Sequence, residues 1–238
     1  MAKPFRFKQF HVFDHHSTMK VGTDAVLLGT WGNPPMHGKI LDIGTGCGIL
    51  ALMTAQRTHA IVTAIDIDKA SIEQATQNFR DSPWSSRLRA IHTGLVGFSN
   101  DHPHGFDYII SNPPFFINCL KTNNPRKDVA RHASDGLMKA FVGSLARILK
   151  PEGKIALVLP TERFDKFQNL LDQSELFILR FCKVLPRIGL APTRLLLELV
   201  KLPVDMIQEE ALVLRGRDNQ YTDQYKELTR EFYLFLNE

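Results

Sequence analysis

Lys39-Ile40-Leu41-Asp42-Ile43, then Gly44-Thr45-Gly46-Cys47-Gly48, then Ile49-Leu50-Ala51-Leu52-Met53-Thr54-Ala55 leave this chain few folds to choose from. The first run is short and apolar and predicts a strand. Three glycines in five residues predict a sharp turn, and the apolar run without a breaker predicts the start of a helix. Glycines there let the backbone take positive φ and approach a ligand closely. Ile61-Val62-Thr63-Ala64-Ile65-Asp66 reads as a second strand, with Asp66 at its tip 22 residues beyond Gly44. A carboxylate at that place and spacing accepts both hydroxyls of a ribose. Strand, glycine turn, helix and acid-tipped strand, in that order, form the context of a nucleotide fingerprint in an α/β sheet.

A second stretch, Ser111-Asn112-Pro113-Pro114-Phe115, follows the apolar run Phe106-Asp107-Tyr108-Ile109-Ile110. Two consecutive prolines cannot continue a central ladder, so this strand stops there. What remains is a stiff loop at the carboxyl end of a strand, where open α/β folds bind ligands. Asn112 offers a side-chain carbonyl. The carbonyls of Pro113 and Pro114 accept without a paired donor of their own, and Phe115 adds a flat face. That set suits a planar NH2 group, whose two hydrogens meet acceptors while the ring supports its plane. A proline-rich turn with no further role is the plainer reading of these residues alone.

The rest of the chain supplies the alternation of an α/β fold. Phe5, Phe7, Phe10, Val12 and Phe13 suggest a short hairpin in an otherwise irregular arm of residues 1–38. Lys20 to Gly29 reads as a turn capped into a helix, with Thr23 or Asp24 as N-cap; a polar cap there could also touch a ligand. Asp68 caps a helix with Ala70, Ile72, Ala75 and Phe79 inward. Leu88–His92 is a third strand, Asp135 opens a helix to Leu149, and Lys154–Leu159 is a fifth buried strand. Residues 163–171 read as helix, and Leu176–Val184 with Leu195–Lys201 as a closing antiparallel pair. Tyr225, Leu228, Phe232 and Leu236 recur at helical spacing in the tail. Asp14, His15 and His16 lack the helical spacing of metal ligands, so no metal is expected from them.

Composition narrows the class. The 238 residues are 44% hydrophobic and 23% charged, enough for one large domain with its own core. There is no apolar run of membrane-spanning length and no signal-peptide core at the start. Cys47, Cys119 and Cys182 are odd in number and far apart, which favours a reducing cytoplasm. A net charge of +4 permits a polyanionic partner without requiring one. Between Lys121 and Arg131, four cations (Lys121, Arg126, Lys127 and Arg131) stand against Asp128, with His132 adjacent. A long polar segment beside a binding loop is either functional or a solvated surface.

Charge separates two nucleotide readings. A dinucleotide fold wants G-x-G-x-x-G and a pyrophosphate on the helix N-terminus, whereas this turn is G-x-G-x-G behind an acid, Asp42. A carboxylate there repels a pyrophosphate but tolerates the sulfonium and ammonium groups of S-adenosylmethionine. Asp42 as a structural hydrogen-bonder at a strand end is the competing reading.

With both motifs in view the chain resembles a known family. Asp42 to Gly48 is similar to motif I of class I S-adenosylmethionine-dependent methyltransferases, and Asn112-Pro113-Pro114-Phe115 to the NPPF motif of their amino-methylating branch. Lys20-Val21-Gly22-Thr23-Asp24, Asn112 to Leu120, Asn124-Pro125-Arg126, Ala130-Arg131-His132, Gln220-Tyr221-Thr222 and Phe232-Tyr233-Leu234 resemble the tRNA1(Val) adenine N6-methyltransferases. The resemblance implies a doubly wound, Rossmann-like sheet of seven mostly parallel strands with the antiparallel pair at its end. Residues 1–38 would be an arm over substrate and cofactor, and 39–238 the methyltransferase domain.

The resemblance also implies roles. S-adenosylmethionine would be held by Lys20, Thr23, Asp42, Gly44, Thr45, Gly46, Gly48, Asp66, Ile67, Leu95 and Asn112. Asn112, Pro113, Pro114 and Phe115 would hold the target adenine beside the anticodon of a valine tRNA. Lys121, Arg126, Lys127, Arg131 and His132 would bind the RNA. A cytoplasmic monomer with no metal and no membrane association is expected. Leu95 departs from the family pattern, standing where relatives place an acid that bonds the cofactor's adenine amino group. A protein-glutamine methyltransferase and a ribosomal-RNA guanine N2-methyltransferase use the same planar-NH2 chemistry and remain alternatives. The first calls for an N-terminal helical domain, for which about 38 residues before motif I are too few. A nicotinamide-dependent oxidoreductase and an RNA-binding module without activity are the more distant ones.

Overall fold

The structure, a computed structural model, describes residues 3–113 and 127–234, with the side chains of 127–135 left aside. The aromatic alternation of the arm forms an antiparallel pair, β1 (Phe5–Arg6) with β2 (His11–Val12), as expected. Helix α1 (Thr23–Trp31) is capped by extended Gly22 with no side-chain bond. The expected cap at Thr23 or Asp24 therefore moves back one residue. Asp24 instead sits in the first turn and accepts from Arg194 Nε at 2.8 Å.

A single eight-stranded sheet organises the rest. Its parallel centre is β5 (Leu88–His92), β4 (Ile61–Asp66), β3 (Lys39–Ile43), β6 (Phe106–Ser111) and β7 (Leu149–Pro160), side by side in that order. β9 (Arg194–Val200) pairs antiparallel with both β7 and β8 (Phe177–Leu185), which is the closing pair read from the sequence. An eighth strand, β10 (Gln208–Val213), then pairs in parallel with β8 at the edge. The sequence expectation was seven. Only Leu212 of the extra strand is buried, and the strand opens on Gln208-Glu209-Glu210, so no alternation of apolar and polar residues marks it.

Helices cover both faces, and the pleat divides the core accordingly. Ile40, Tyr108, Ile110, Ala156 and Val158 pack toward α1, α2 (Ile49–Arg57), α3 (Lys69–Arg80) and α7 (Asp223–Thr229). Leu41, Ile43, Ile109, Ile155 and Leu157 pack toward α4 (Leu95–Asp101), α5 (Lys127–Ile148) and α6 (Phe164–Leu171). This is the doubly wound arrangement. Two expected boundaries shift and one helix was not expected. α5 begins at Lys127 and runs through Asp135, a residue type that caps helices and also sits on their wet faces. α4 had no clear periodicity to announce it. The tail helix ends at Thr229, although Phe232 beyond it still packs in the core. None of the described helices is long and apolar enough to cross a membrane.

Candidate active site

The sheet's carboxyl edge opens into a cleft of about 300 Å³. Its floor is the turn after β3. Gly44, Gly46 and Gly48 have φ of 67°, 55° and 87°, the left-handed region that favours glycine. The N–H groups of Gly44 and Thr45 both donate to the Ile65 carbonyl, at 2.9 and 3.1 Å, folding the turn onto β4. A Cβ on Gly48 would come within 2.5 Å of the Phe79 ring, so space as well as φ excludes other residues there.

Asp66 rises at the tip of β4, beside this floor. Its Oδ2 accepts the N–H of Gly46 at 2.9 Å and its Oδ1 the N–H of Asp68 at 2.9 Å. Each oxygen keeps acceptor capacity beyond these bonds. Asp68 accepts from the Ser71 N–H at 3.1 Å and hydroxyl at 2.6 Å, so it caps α3 as expected. The Ser71 hydroxyl holds its carboxyl below the usual carboxylate range.

Asp42 lies behind the floor rather than in the cleft. It is fully buried. Its Oδ2 accepts from Thr45 Oγ1 at 2.6 Å and from the Ala51 N–H at 3.1 Å. Its Oδ1 has no hydrogen-bond partner among the described residues. Burial pushes its pKa up to about 7, with the negative charge of Asp66 adding to the rise and the bonds from Thr45 and Ala51 opposing it. Its bonds are those of a clamp joining the turn to the first turn of α2.

The arm forms the opposite wall through Thr18 and Met19. One side chain ties arm to floor. Buried Asn78 of α3 accepts the Phe13 N–H at 3.0 Å and donates to the Phe13 and Cys47 carbonyls at 2.8 and 2.7 Å. The far end is closed by Pro113, two residues beyond the end of β6. The Ser111 hydroxyl donates to the Ile43 carbonyl at 2.7 Å and so locks the ends of β6 and β3 together.

The structure thus gathers Gly44, Gly46, Asp66, Ile67, Leu95 and Pro113 around one cleft. Asn112 is half-buried and adjoins it in sequence. Lys20, Thr23, Asp42, Thr45 and Gly48 do not line it. Lys20 donates to the Asp14 carbonyl at 2.6 Å, Thr23 is exposed at the start of α1, and Thr45 and Gly48 support the turn from within. Pro114, Phe115, Lys121 and Arg126 lie outside the described residues. Lys127, Arg131 and His132 belong to the backbone of α5. Sequence reading missed Thr18, Met19, Thr93 and Phe141, which reach the cleft from distant segments with no local signal. Ile43 and Ile65 were missed too, although each directly precedes a motif residue.

A family model for the methyltransferase small domain matches residues 9–177. Over 237 residues the chain is 42% identical to the tRNA1(Val) (adenine(37)-N6)-methyltransferase of Tolumonas auensis, spanning 98% of both proteins. It is 38% identical to the protein of the same name from Parabacteroides distasonis, spanning 98% of this chain and 99% of that one. Among solved structures, a predicted O-methyltransferase from Agrobacterium tumefaciens superimposes with a TM-score of 0.69 at 17% identity. The match covers 88% of this chain and 96% of the other, a likeness of fold. By the extent of these matches the chain belongs to the methyltransferase small-domain family and, within it, to the tRNA1(Val) (adenine(37)-N6)-methyltransferases.

Proposed function

We propose that this enzyme methylates N6 of adenine 37, beside the anticodon of tRNA1(Val), using S-adenosylmethionine. The observation that carries the reading is the cleft, with glycine backbone and Asp66 along one side and Pro113 of the Asn112–Phe115 segment at its end. The cofactor fits this donor set. Asp66 has acceptor capacity left for two ribose hydroxyls, Gly44 and Gly46 leave room beside the backbone, and Ile67 and Leu95 offer apolar walls to a purine. With Leu95 in place of an acid, backbone groups and apolar contact hold the adenine ring. Thr18 and Met19 at the opposite wall support a covering role for the arm of residues 1–38 over the domain of 39–238. When bound, the cofactor supplies an electron-poor methyl group on a sulfonium.

The chain's own part is to prepare the nitrogen. The N6 lone pair of an adenine is delocalised into its ring. Asn112 Oδ1 and the Pro113 carbonyl accept the two N6 hydrogens, which favours a pyramidal nitrogen and stabilises positive charge developing on it. Preorganised dipoles aimed at such charge contribute about 3 kcal/mol each. Phe115 stacks on the base once it is splayed out of its loop. Holding the nitrogen in line with the methyl supplies further gain. No side chain has to remove a proton beforehand, because the product nitrogen releases it to solvent. Lys121, Arg126, Lys127, Arg131 and His132 hold the RNA backbone near the base. A cytoplasmic monomer completes the reading, in keeping with the buried free thiols of Cys47 and Cys182.

The test is incubation with labelled S-adenosylmethionine and total tRNA, followed by mapping of the labelled nucleoside. N6-methyladenosine at position 37 of tRNA1(Val) is expected. Label in protein, or in a guanine, would transfer the enzyme to one of the related amino-methylating activities.

A further inference from the structure

We infer that the loop between β8 and β9, together with the turn between β10 and α7, is a docking platform for an RNA sugar–phosphate backbone. The inference rests on the proposed tRNA substrate and adds a surface remote from both motifs.

Topology puts these segments on the catalytic side. β8 and β10 run in the direction of the parallel centre, so Leu185 and Val213 end on the same sheet edge as Ile43 and Ser111. β8 lies three strands from β6 and β10 four. At about 4.8 Å per strand the platform stands roughly 14–19 Å from Asn112, a few nucleotides of splayed chain.

The two segments form one body. Leu214 N–H donates to the Leu185 carbonyl and Ile188 N–H to the Arg215 carbonyl, each at 2.9 Å. Thr161, directly after β7, donates to the Thr193 carbonyl through its N–H at 3.2 Å and to the Pro192 carbonyl through its hydroxyl at 2.9 Å. The platform is thereby braced to the strand next to β6. The Arg215 guanidinium lies 3.9 Å over the Tyr221 ring and donates to the Asn219 carbonyl at 2.7 Å.

Charge is distributed unevenly along these strands. Within the strands themselves, cations are matched: Arg180 pairs with Glu198 at 2.9 Å and Glu210 at 3.1 Å, and Lys183 with Glu209 at 2.5 Å. On the platform, Arg187 and Arg217 are exposed, and neither has an ion-pair partner among the described residues. Arg194 pairs with Asp24, and Arg215 is half-buried by its ring contact. Asp218 is the acid of the turn, and it accepts the Gln220 N–H at 3.0 Å. Ile188 and Leu190 are 47% and 51% exposed at the loop tip, which Gly189 turns with φ 83°. Unmatched arginines around exposed apolar side chains suit phosphates with ribose or base faces between them. Contacts of this kind position an RNA without reading its sequence.

The test compares the full-length parent with Arg187→Ala/Arg217→Ala and Arg187→Lys/Arg217→Lys, using transcribed tRNA1(Val). For the alanine pair, KM for tRNA should rise roughly 10-fold. Its plot of log affinity against log salt should flatten by about 1.4–1.8, the slope of two phosphate contacts. Its kcat at saturating tRNA and its affinity for S-adenosylmethionine should match the parent, and the lysine pair should keep the parental slope. A parent that methylates tRNA alongside an alanine pair of unchanged KM and slope overturns the platform while sparing the proposed function. A parent that methylates no tRNA overturns both.

Discussion

Asp66 accepts the backbone N–H of Gly46 through Oδ2 at 2.9 Å. The bond ties the tip of β4 to the turn after β3, so one carboxylate both shapes the glycine floor and faces the cleft. Its second oxygen is fixed by the Asp68 N–H at 2.9 Å. An acid held on both sides does not have to be ordered when a ligand arrives, and preorganisation of this kind raises affinity.

Asp66→Ala should therefore weaken S-adenosylmethionine binding by about 2 kcal/mol, through loss of charged hydrogen bonds to two hydroxyls. Titration calorimetry on the folded variant reads this directly. Unchanged affinity would remove Asp66 from the cofactor site.

Asn112→Ala should lower methyl transfer at least ~100-fold while cofactor affinity stays within a few-fold, because its acceptor acts on charge that appears during the reaction. Phe115→Ala should also raise KM for RNA, in line with roughly 1–3 kcal/mol per stacked base. Single-turnover rates with tRNA1(Val) separate the two effects. Near-parental transfer by Asn112→Ala would reduce the segment to a turn.

Asp42 predicts a pH effect on stability. Burial raises its carboxyl from an ordinary 3.8 to about 7. Between those values the folded chain keeps a proton that the unfolded chain has released. Its contribution is therefore most favourable below the unfolded value, falls as pH rises toward 7, and is level above it. Asp42→Asn keeps an acceptor for Thr45 and Ala51 without the charge. Relative to the parent it should gain roughly 2–4 kcal/mol on going from about pH 4 to pH 8. Urea unfolding of both proteins across that range measures the difference, and a constant difference would mean that the carboxyl titrates as it does in water.

Arg126→Ala/Lys127→Ala should flatten the salt dependence of tRNA binding by about 1.4–1.8. Thermal stability of the variant should hardly change. Parallel salt plots for parent and variant would exclude these side chains from the RNA contact.

Much of this architecture was legible because it is written locally. The turn at Gly44 to Gly48, the acid-tipped β4 and the proline stop after β6 each depend on a few consecutive residues. β10 was not legible, since an edge strand needs little apolar surface and shows Glu209 and Glu210 to solvent. Neither were Thr18, Met19 and Phe141, which enter the cleft through tertiary packing. Asp42 was legible as part of the motif, but the partners of its carboxylate were not. Spacing gives a residue's position on a strand, whereas the Thr45 hydroxyl and Ala51 N–H that claim its carboxylate come from how the next helix docks.

The three bonds of Asn78 have a consequence for how the arm is seated. One amide grips Phe13 of the arm and Cys47 of the glycine turn together, and the Ser71 hydroxyl, two turns earlier on the same helix, bonds the Ser17 hydroxyl and the Thr18 N–H. Asn78 acts as a rivet: arm and turn are fastened together from a helix residue that does not itself line the cleft.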